Sequence, residues 1–367
     1  MDITASTVAT PSARTVPKGV VPASLVVGGT LISLIGLTWD IQWHTDVGPD
    51  TFFTMPHLFL YAGSAISGLA SLVVVLMTTA ATKRERGVDP IVGGRAVGVF
   101  GRTFAAPVGY LVSGVGAALF LVYGLWDQWW HGLYGFDAVI ASPPHIGLLL
   151  SISITMVGAV MVFAVARDEP WGTYGVVGSS AVLLAFSMVT VIGLQALPNG
   201  LVNSINVGAA FFSVMILFMA GHALNRRGGA LAVAVVVAAL QAVFWWFSPW
   251  ATEVYADATG LPLRDYTDGV PGLPNMIPMC LVLVAVAVEL LHRVPAWVPG
   301  ALGGVIITAC APLQRMLVHG GGYFPSTDRY LATIAAGAAF GALAGLLGRR
   351  FGLTLRHLAP ARENRHA

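Results

Sequence analysis

The chain has 367 residues, of which 56% are hydrophobic and only 10% charged, with a formal net charge of +2. A mean hydropathy of +0.78 excludes an ordinary soluble domain and a disordered chain. Short segments alternating between apolar and polar, as a membrane β-barrel needs, are not seen.

Residues 1–19 form a polar tail carrying Arg14 and Lys18. The apolar run that follows has no small-residue cleavage site and reads as an uncleaved first span rather than a signal peptide. Ten runs approach the ~20 residues a helix needs to cross a bilayer. Four of them, 20–42, 55–80, 104–126 and 143–166, fill a first half over 20–166. Six more, 173–194, 205–224, 228–247, 273–292, 297–318 and 328–348, fill a second half of open role over 167–348. Residues 349–367 are a basic tail. The fold class expected is all-α, a polytopic bundle of about ten transmembrane helices. The connection 81–103 is basic and Gly-rich. The connection 248–272, SPWATEVYADATGLPLRDYTDGVPG, carries too many Gly and Pro for a long helix and is expected to fold over one face. Cys280 and Cys310 lie inside apolar runs and read as packing residues.

Charge orients the spans. With the N-terminus in the cytoplasm, 16 of the 19 basic residues fall on that side, leaving Arg264, Arg315 and Arg329 outside. Ten of the 17 acids fall outside, so the outer face is acidic. The positive-inside rule thus places both termini in the cytoplasm of a cell membrane protein. Topology also accounts for the Lys83–Arg86 cluster, and no nucleic-acid partner is expected.

One polar phrase occurs twice. Residues 39–57 read WDIQWHTDVGPDTFFTMPH and residues 126–145 read WDQWWHGLYGFDAVIASPPH. Asp40/Asp127, Trp43/Trp130, His44/His131 and Asp50/Asp137 coincide without a gap, and His57 matches His145 after one inserted residue. Asp40 and His44 are four apart, as are Asp127 and His131, so each pair shares one helix face. His57 and His145 then open the returning helix of each hairpin. Each hairpin can converge one carboxylate and two imidazoles, three ligands with a position left open for reaction. The two hairpins either hold one metal each or pool six ligands around a close pair. A lone Asp or His near a membrane interface is usually just solvated, and Trp there usually belongs to an aromatic belt. Duplication without function, however, does not explain why the Asp and His positions coincide while intervening residues differ. Asp50 and Asp137, with Trp43 and Trp130, are candidates for orienting the imidazoles; the alternative is loop acids facing water and interfacial anchors.

Imidazole with carboxylate and no thiolate suits copper(II), zinc or iron(II). The phrase resembles the metal-binding segments of the C-type membrane subunit in the copper membrane monooxygenases, the family of particulate methane and ammonia monooxygenase. There, one copper site has an Asp, a His four residues on and a second His thirteen further. Asp40, His44 and His57 reproduce that spacing. An adjacent site has Asn, then His four on and another His fourteen further, and Asp127, His131 and His145 match with Asp in place of Asn. The resemblance covers about residues 24–166. It implies copper as cofactor and oxidation of a small apolar or lipid-soluble substrate by dioxygen. Electrons would come from a quinol or another donor, and partners would be other membrane subunits or further copies of the chain. The family's large periplasmic copper domain has no counterpart here.

Two other functions remain open from the sequence: a carrier of copper or another divalent metal, and a non-catalytic metal-stabilised subunit of a membrane complex. The inner halves of spans one to four offer few polar groups and no second ligand cluster, which counts against carriage. Arg315 and His319, four apart, suggest a structural ion pair, with contact to the acidic connection or binding of an anionic group as the alternatives, while Glu253, Asp257, Asp265 and Asp268 read as an acidic lid that gathers cations or simply as solvated loop acids. Gly337, Gly341 and Gly345 have the spacing of a close helix–helix contact.

Overall fold

The computed structural model describes residues 18–135, 142–197, 200–267, 269–321 and 324–358. Ten helical units in it are long and apolar enough to cross a membrane. They are α1 (Val20–Asp46), α2 (Met55–Lys83), α3 (Val108–Tyr134), α4 (Pro143–Val165), α5 (Pro170–Thr190), α6 (Ser204–Leu224), α7 (Gly229–Thr259), the broken pair α8 (Gly272–Met276) and α9 (Leu281–Leu290), α10 (Trp297–Val318) and α11 (Thr327–Arg356). A 3-10 turn, Val191–Ala196, extends α5. Pro in the first turn of α2, α4 and α5 starts those helices where a missing N–H costs nothing.

Consecutive helices pair as antiparallel hairpins, α1 with α2 and α3 with α4. Small residues let the backbones meet. A Cβ on Gly29 would lie 2.5 Å from Gly63 O, and one on Gly158 would lie 2.4 Å from Ser113 N. Hydroxyls bridge the same seams, with Ser67 Oγ donating to Val26 O at 3.1 Å and Ser33 Oγ to Leu60 O at 3.3 Å. In lipid, where apolar surface does not drive helices together, such close contacts and hydrogen bonds hold the register of each hairpin. Helix α5 is buried at the centre, and α1 packs against α4, α5 and α7.

Three features differ from the sequence expectation. The connection 81–103 leads into a small antiparallel hairpin, β1 (Ala96–Val99) with β2 (Phe104–Pro107), pairing Ala96 with Pro107 and Val99 with Phe104. Helix α7 runs twelve residues beyond the expected end at 247 despite Pro249. Its extra turns are held by packing: Tyr255 sits 4.7 Å from Trp43 and 5.7 Å from Trp39 between ring centroids, and Ser248 Oγ lies 2.8 Å from Thr38 Oγ1. Tertiary contact thus outweighs the breaker.

The expected span 273–292 is interrupted at Ile277–Cys280, where Pro278 cannot continue the helical ladder. Two glutamines satisfy the freed carbonyls. Gln241 Nε2 donates to Pro274 O and Ile277 O at 2.8 and 2.9 Å, and Gln314 Nε2 donates to Asn275 O at 2.7 Å. Irregular backbone at membrane depth is tolerated where protein groups replace water in this way.

Candidate metal centre

Helix α1 carries Asp40 and His44 on one face of its last two turns, and α2 opens with Pro56 and His57. Between them, Gly48 adopts a left-handed φ of +102° and turns the chain so that Asp50 faces the helices. Trp43 fixes this turn: its side chain is buried and its Nε1–H donates to Pro49 O at 2.8 Å. Asp40, His44, Asp50 and His57 then converge, one donor atom from each lying within 4.8 Å of the others. His57 Nε2 lies 3.1 Å from Asp40 Oδ1 and 3.4 Å from Asp50 Oδ2, and His44 Nε2 lies 3.1 Å from Asp50 Oδ2 and 3.9 Å from Asp40 Oδ1.

The second set forms the same way on α3 and α4. His131 Nε2 is 3.3 Å from Asp127 Oδ2, His145 Nε2 is 3.4 Å from Asp127 Oδ1, and the two Nε2 atoms are 3.4 Å apart. Ser142, just before α4, meets His145 Nδ1 at 2.9 Å.

Ring tautomers follow from the outer partners. His57 Nδ1 donates to Thr51 O at 3.0 Å and His131 Nδ1 donates to Gly135 O at 2.8 Å, because a carbonyl can only accept. In each neutral imidazole the lone pair is therefore on Nε2, the atom turned toward the carboxylates. Asp40 Oδ1 and Asp127 Oδ1 are both buried and receive no hydrogen bond. Lone pairs facing lone pairs at this range repel unless a cation or a shared proton lies between them. Ligands about 2.0–2.1 Å from a tetrahedral metal sit roughly 3.3 Å apart, and in the second set the nearest distance between each pair of residues is close to that spacing, with each imidazole nearest a different oxygen of Asp127. The residues present therefore fit a divalent metal, and two such sets fit two.

Asp50 lies outside the helices. Burial pushes its carboxyl up, but the hydrogen bond from His44 and the positive charge that His57 carries when protonated outweigh that and hold it below the ordinary carboxylate range. It stands among the candidate donor atoms, where the sequence suggested an orienting role or a loop acid facing water. Asp137 lies outside the described residues. The two tryptophans part company: Trp43 is buried against Tyr255, whereas Trp130 is half-buried and lies tilted against Tyr134, 4.5 Å between ring centroids. The difference is positional, because α1 packs against α7, whereas α3 packs chiefly on α4 and α2.

Both sets line one cavity of about 410 Å³. Its remaining wall is apolar and aromatic, with Leu37, Leu60, Phe120, Leu149 and Ile152 among the contributors. Tyr61 also lines it, 6.0 Å from His57 and 6.1 Å from Phe120 between ring centroids. Sequence reading passed over Tyr61, although its position four residues after His57 places it on the same helix face. It also passed over Arg264, which reaches back from the connection after α7. Arg264 Nη1 donates to His44 O at 2.8 Å and its backbone N–H donates to Asp46 O at 2.7 Å. The connection 248–272 thus leans on the end of α1 as expected, but through an arginine rather than through its acids; Asp268 lies outside the described residues. Arg315 forms no ion pair among the described residues, and His319 Nε2 lies 3.4 Å from Asn275 Nδ2. Gly337, Gly341 and Gly345 do form a close contact, packing on Gly300 and Gly304.

No family model, no curated protein and no solved structure matches this chain.

Proposed function

We propose that the protein is a membrane-embedded copper protein whose two ligand sets act on one cavity, and that it oxidises a small apolar or lipid-soluble substrate with dioxygen. The observation that carries this reading is the convergence of Asp40, His44, Asp50 and His57 with Asp127, His131 and His145 around one partly apolar cavity. The resemblance of both phrases to the metal-binding segments of the copper membrane monooxygenases supplies the choice of metal and chemistry.

Bound copper would supply redox chemistry toward dioxygen, with the two electrons of each turnover drawn from a quinol or other donor and one oxygen atom leaving as water. The chain's own groups do the rest. His57 and His131 are held in the tautomer that presents Nε2, through Thr51 O and Gly135 O. Asp40, Asp50 and Asp127 place negative charge that offsets a divalent cation in a poorly solvated site. The wall formed by Leu37, Phe120, Leu149 and Ile152 favours an apolar guest and keeps bulk water from the ligands. Both sets stand at the ends of α1 and α3, which by the positive-inside expectation face away from the cytoplasm.

The test is metal counting on protein purified from membranes, with His44→Ala and His131→Ala compared to wild type. About two coppers per chain, falling to about one in each variant, support the reading, and dioxygen uptake with a quinol donor then separates an oxidase from a carrier. Negligible copper, or loading unchanged in both variants, would sink it.

A further inference from the structure

At the end of the bundle opposite the two ligand sets, a cavity of about 620 Å³ opens between the ends of α6, α7, α9, α10 and α11. Five arginines line it: Arg226 and Arg227 in the α6–α7 turn, Arg293 between α9 and α10, and Arg349 and Arg356 on α11. The last two are seven residues apart, two helical turns, and so share a face. The positive-inside rule accounts for basic residues on this side. It does not account for arginines from three separate elements lining one space.

Like charges gathered in this way repel, and the cavity does little to compensate. Its single carboxylate, Glu289, has Oε1 accepting from Ala230 N–H at 3.0 Å. Among the described residues no carboxylate comes within ion-pair distance of any of the five arginines. Two of them are positioned by neutral groups instead. Arg227 Nη2 lies 3.4 Å from His292 Nε2, and Arg356 Nε donates to His222 O. The floor is apolar, built by Phe218, Ala230 and Val288. Planar guanidinium forks suit phosphate oxygens, and basic pockets between membrane helices suit phosphorylated headgroups.

We propose that this cavity binds a phosphate-bearing anion, presented by the adjoining leaflet as the headgroup of an anionic phospholipid. The anion offsets part of the charge of the five guanidiniums and ties the α6–α7 turn to the α9–α10 connection and to α11.

The test uses the full-length protein in mild detergent. Thermal unfolding is followed with mixed micelles of phosphatidylglycerol, with phosphatidylcholine as the zwitterionic control, and separately with inorganic phosphate. The double variant Arg227→Gln/Arg349→Gln is compared with Arg350→Gln, whose side chain lies outside the cavity lining. Phosphatidylglycerol is expected to raise the melting temperature of wild type and Arg350→Gln, and phosphatidylcholine is not. The double variant should need roughly 25-fold more lipid, at about fivefold for each arginine. A rise with inorganic phosphate alone keeps the site and assigns its source to a soluble ion. Equal response to both lipids with none to phosphate, or a double variant that responds like wild type, overturns the proposal. Should the double variant fail to fold, the single variant Arg227→Gln decides by the same criterion, with a fivefold shift expected.

Discussion

Arg264 donates a 2.8 Å hydrogen bond from Nη1 to the carbonyl of His44, 220 residues earlier in the chain. Its backbone N–H also closes on Asp46 O at 2.7 Å. These bonds satisfy carbonyls at the end of α1 that the helix itself leaves open. They also fix the last turn of the helix that carries Asp40 and His44. A residue of the second half of the chain thereby holds the helix of the first that carries these candidate donors.

Arg264→Ala should therefore weaken metal binding at the Asp40–His44–Asp50–His57 set by about tenfold, the scale found when groups that orient ligands are lost. The Asp127–His131–His145 set should keep its affinity. Gly48→Ala should act in the same direction, since a Cβ there would lie 1.8 Å from Arg264 Nη2 and the backbone φ is +102°. Titration of metal-free protein with copper, fitted to two sites, reads both effects. Equal weakening at both sites would refute the clamp.

Replacing Gln314 by Leu should destabilise the protein by about 1 kcal/mol, because it strands backbone groups at the break between α8 and α9. Gln314 serves both sides of that break, donating to Asn275 O and accepting from Met279 N–H at 2.8 Å. Gln241→Leu should cost a similar amount through Pro274 O and Ile277 O. Thermal unfolding in detergent measures both, and an unchanged midpoint would contradict the assignment.

Gly304→Ala should disrupt the contact of α10 with α11, since its Cβ would fall 1.9 Å from Gly337 O. Gly28→Ala, which meets nothing within 4 Å, is the matched control. Loss of yield or melting temperature is expected in the first variant only.

Metal loading should fall as pH drops, because protons compete for imidazole and carboxylate donors. Asp50 adds a smaller effect of known sign. Its carboxyl is held below the ordinary value, so its favourable pairing is complete above about pH 4. That pairing is lost only as pH falls through the lower folded value. Copper retained after equilibration across the acid-to-neutral range gives the profile. Loading that rises on acidification would contradict the ligand assignment.

Much of this architecture was legible in the chain. Apolar runs near twenty residues fix helices in a membrane, and ten such units are present. The i, i+4 spacing of Asp40 with His44, and of Asp127 with His131, fixes a shared helix face whatever surrounds it. A Pro-His opening on the next helix then brings the third donor alongside, because a short connection leaves antiparallel neighbours little freedom. Local periodicity carried those inferences. The limits lay where non-local packing decides. Nothing local to Pro249 or Pro278 tells that Tyr255 seats against Trp43 and lets one helix continue, while two glutamines stabilise the break in another. The partner of His44 O is 220 residues away, and the turn at Gly48 brings Asp50 inside the ligand set. Sequence alone thus determined the helices and the faces their donors share, because those depend on neighbours a few residues apart. The tertiary structure decided that both donor sets open on one cavity, that Arg264 braces one of them and that five arginines meet at the far end, because each requires helices distant in the chain to pack side by side.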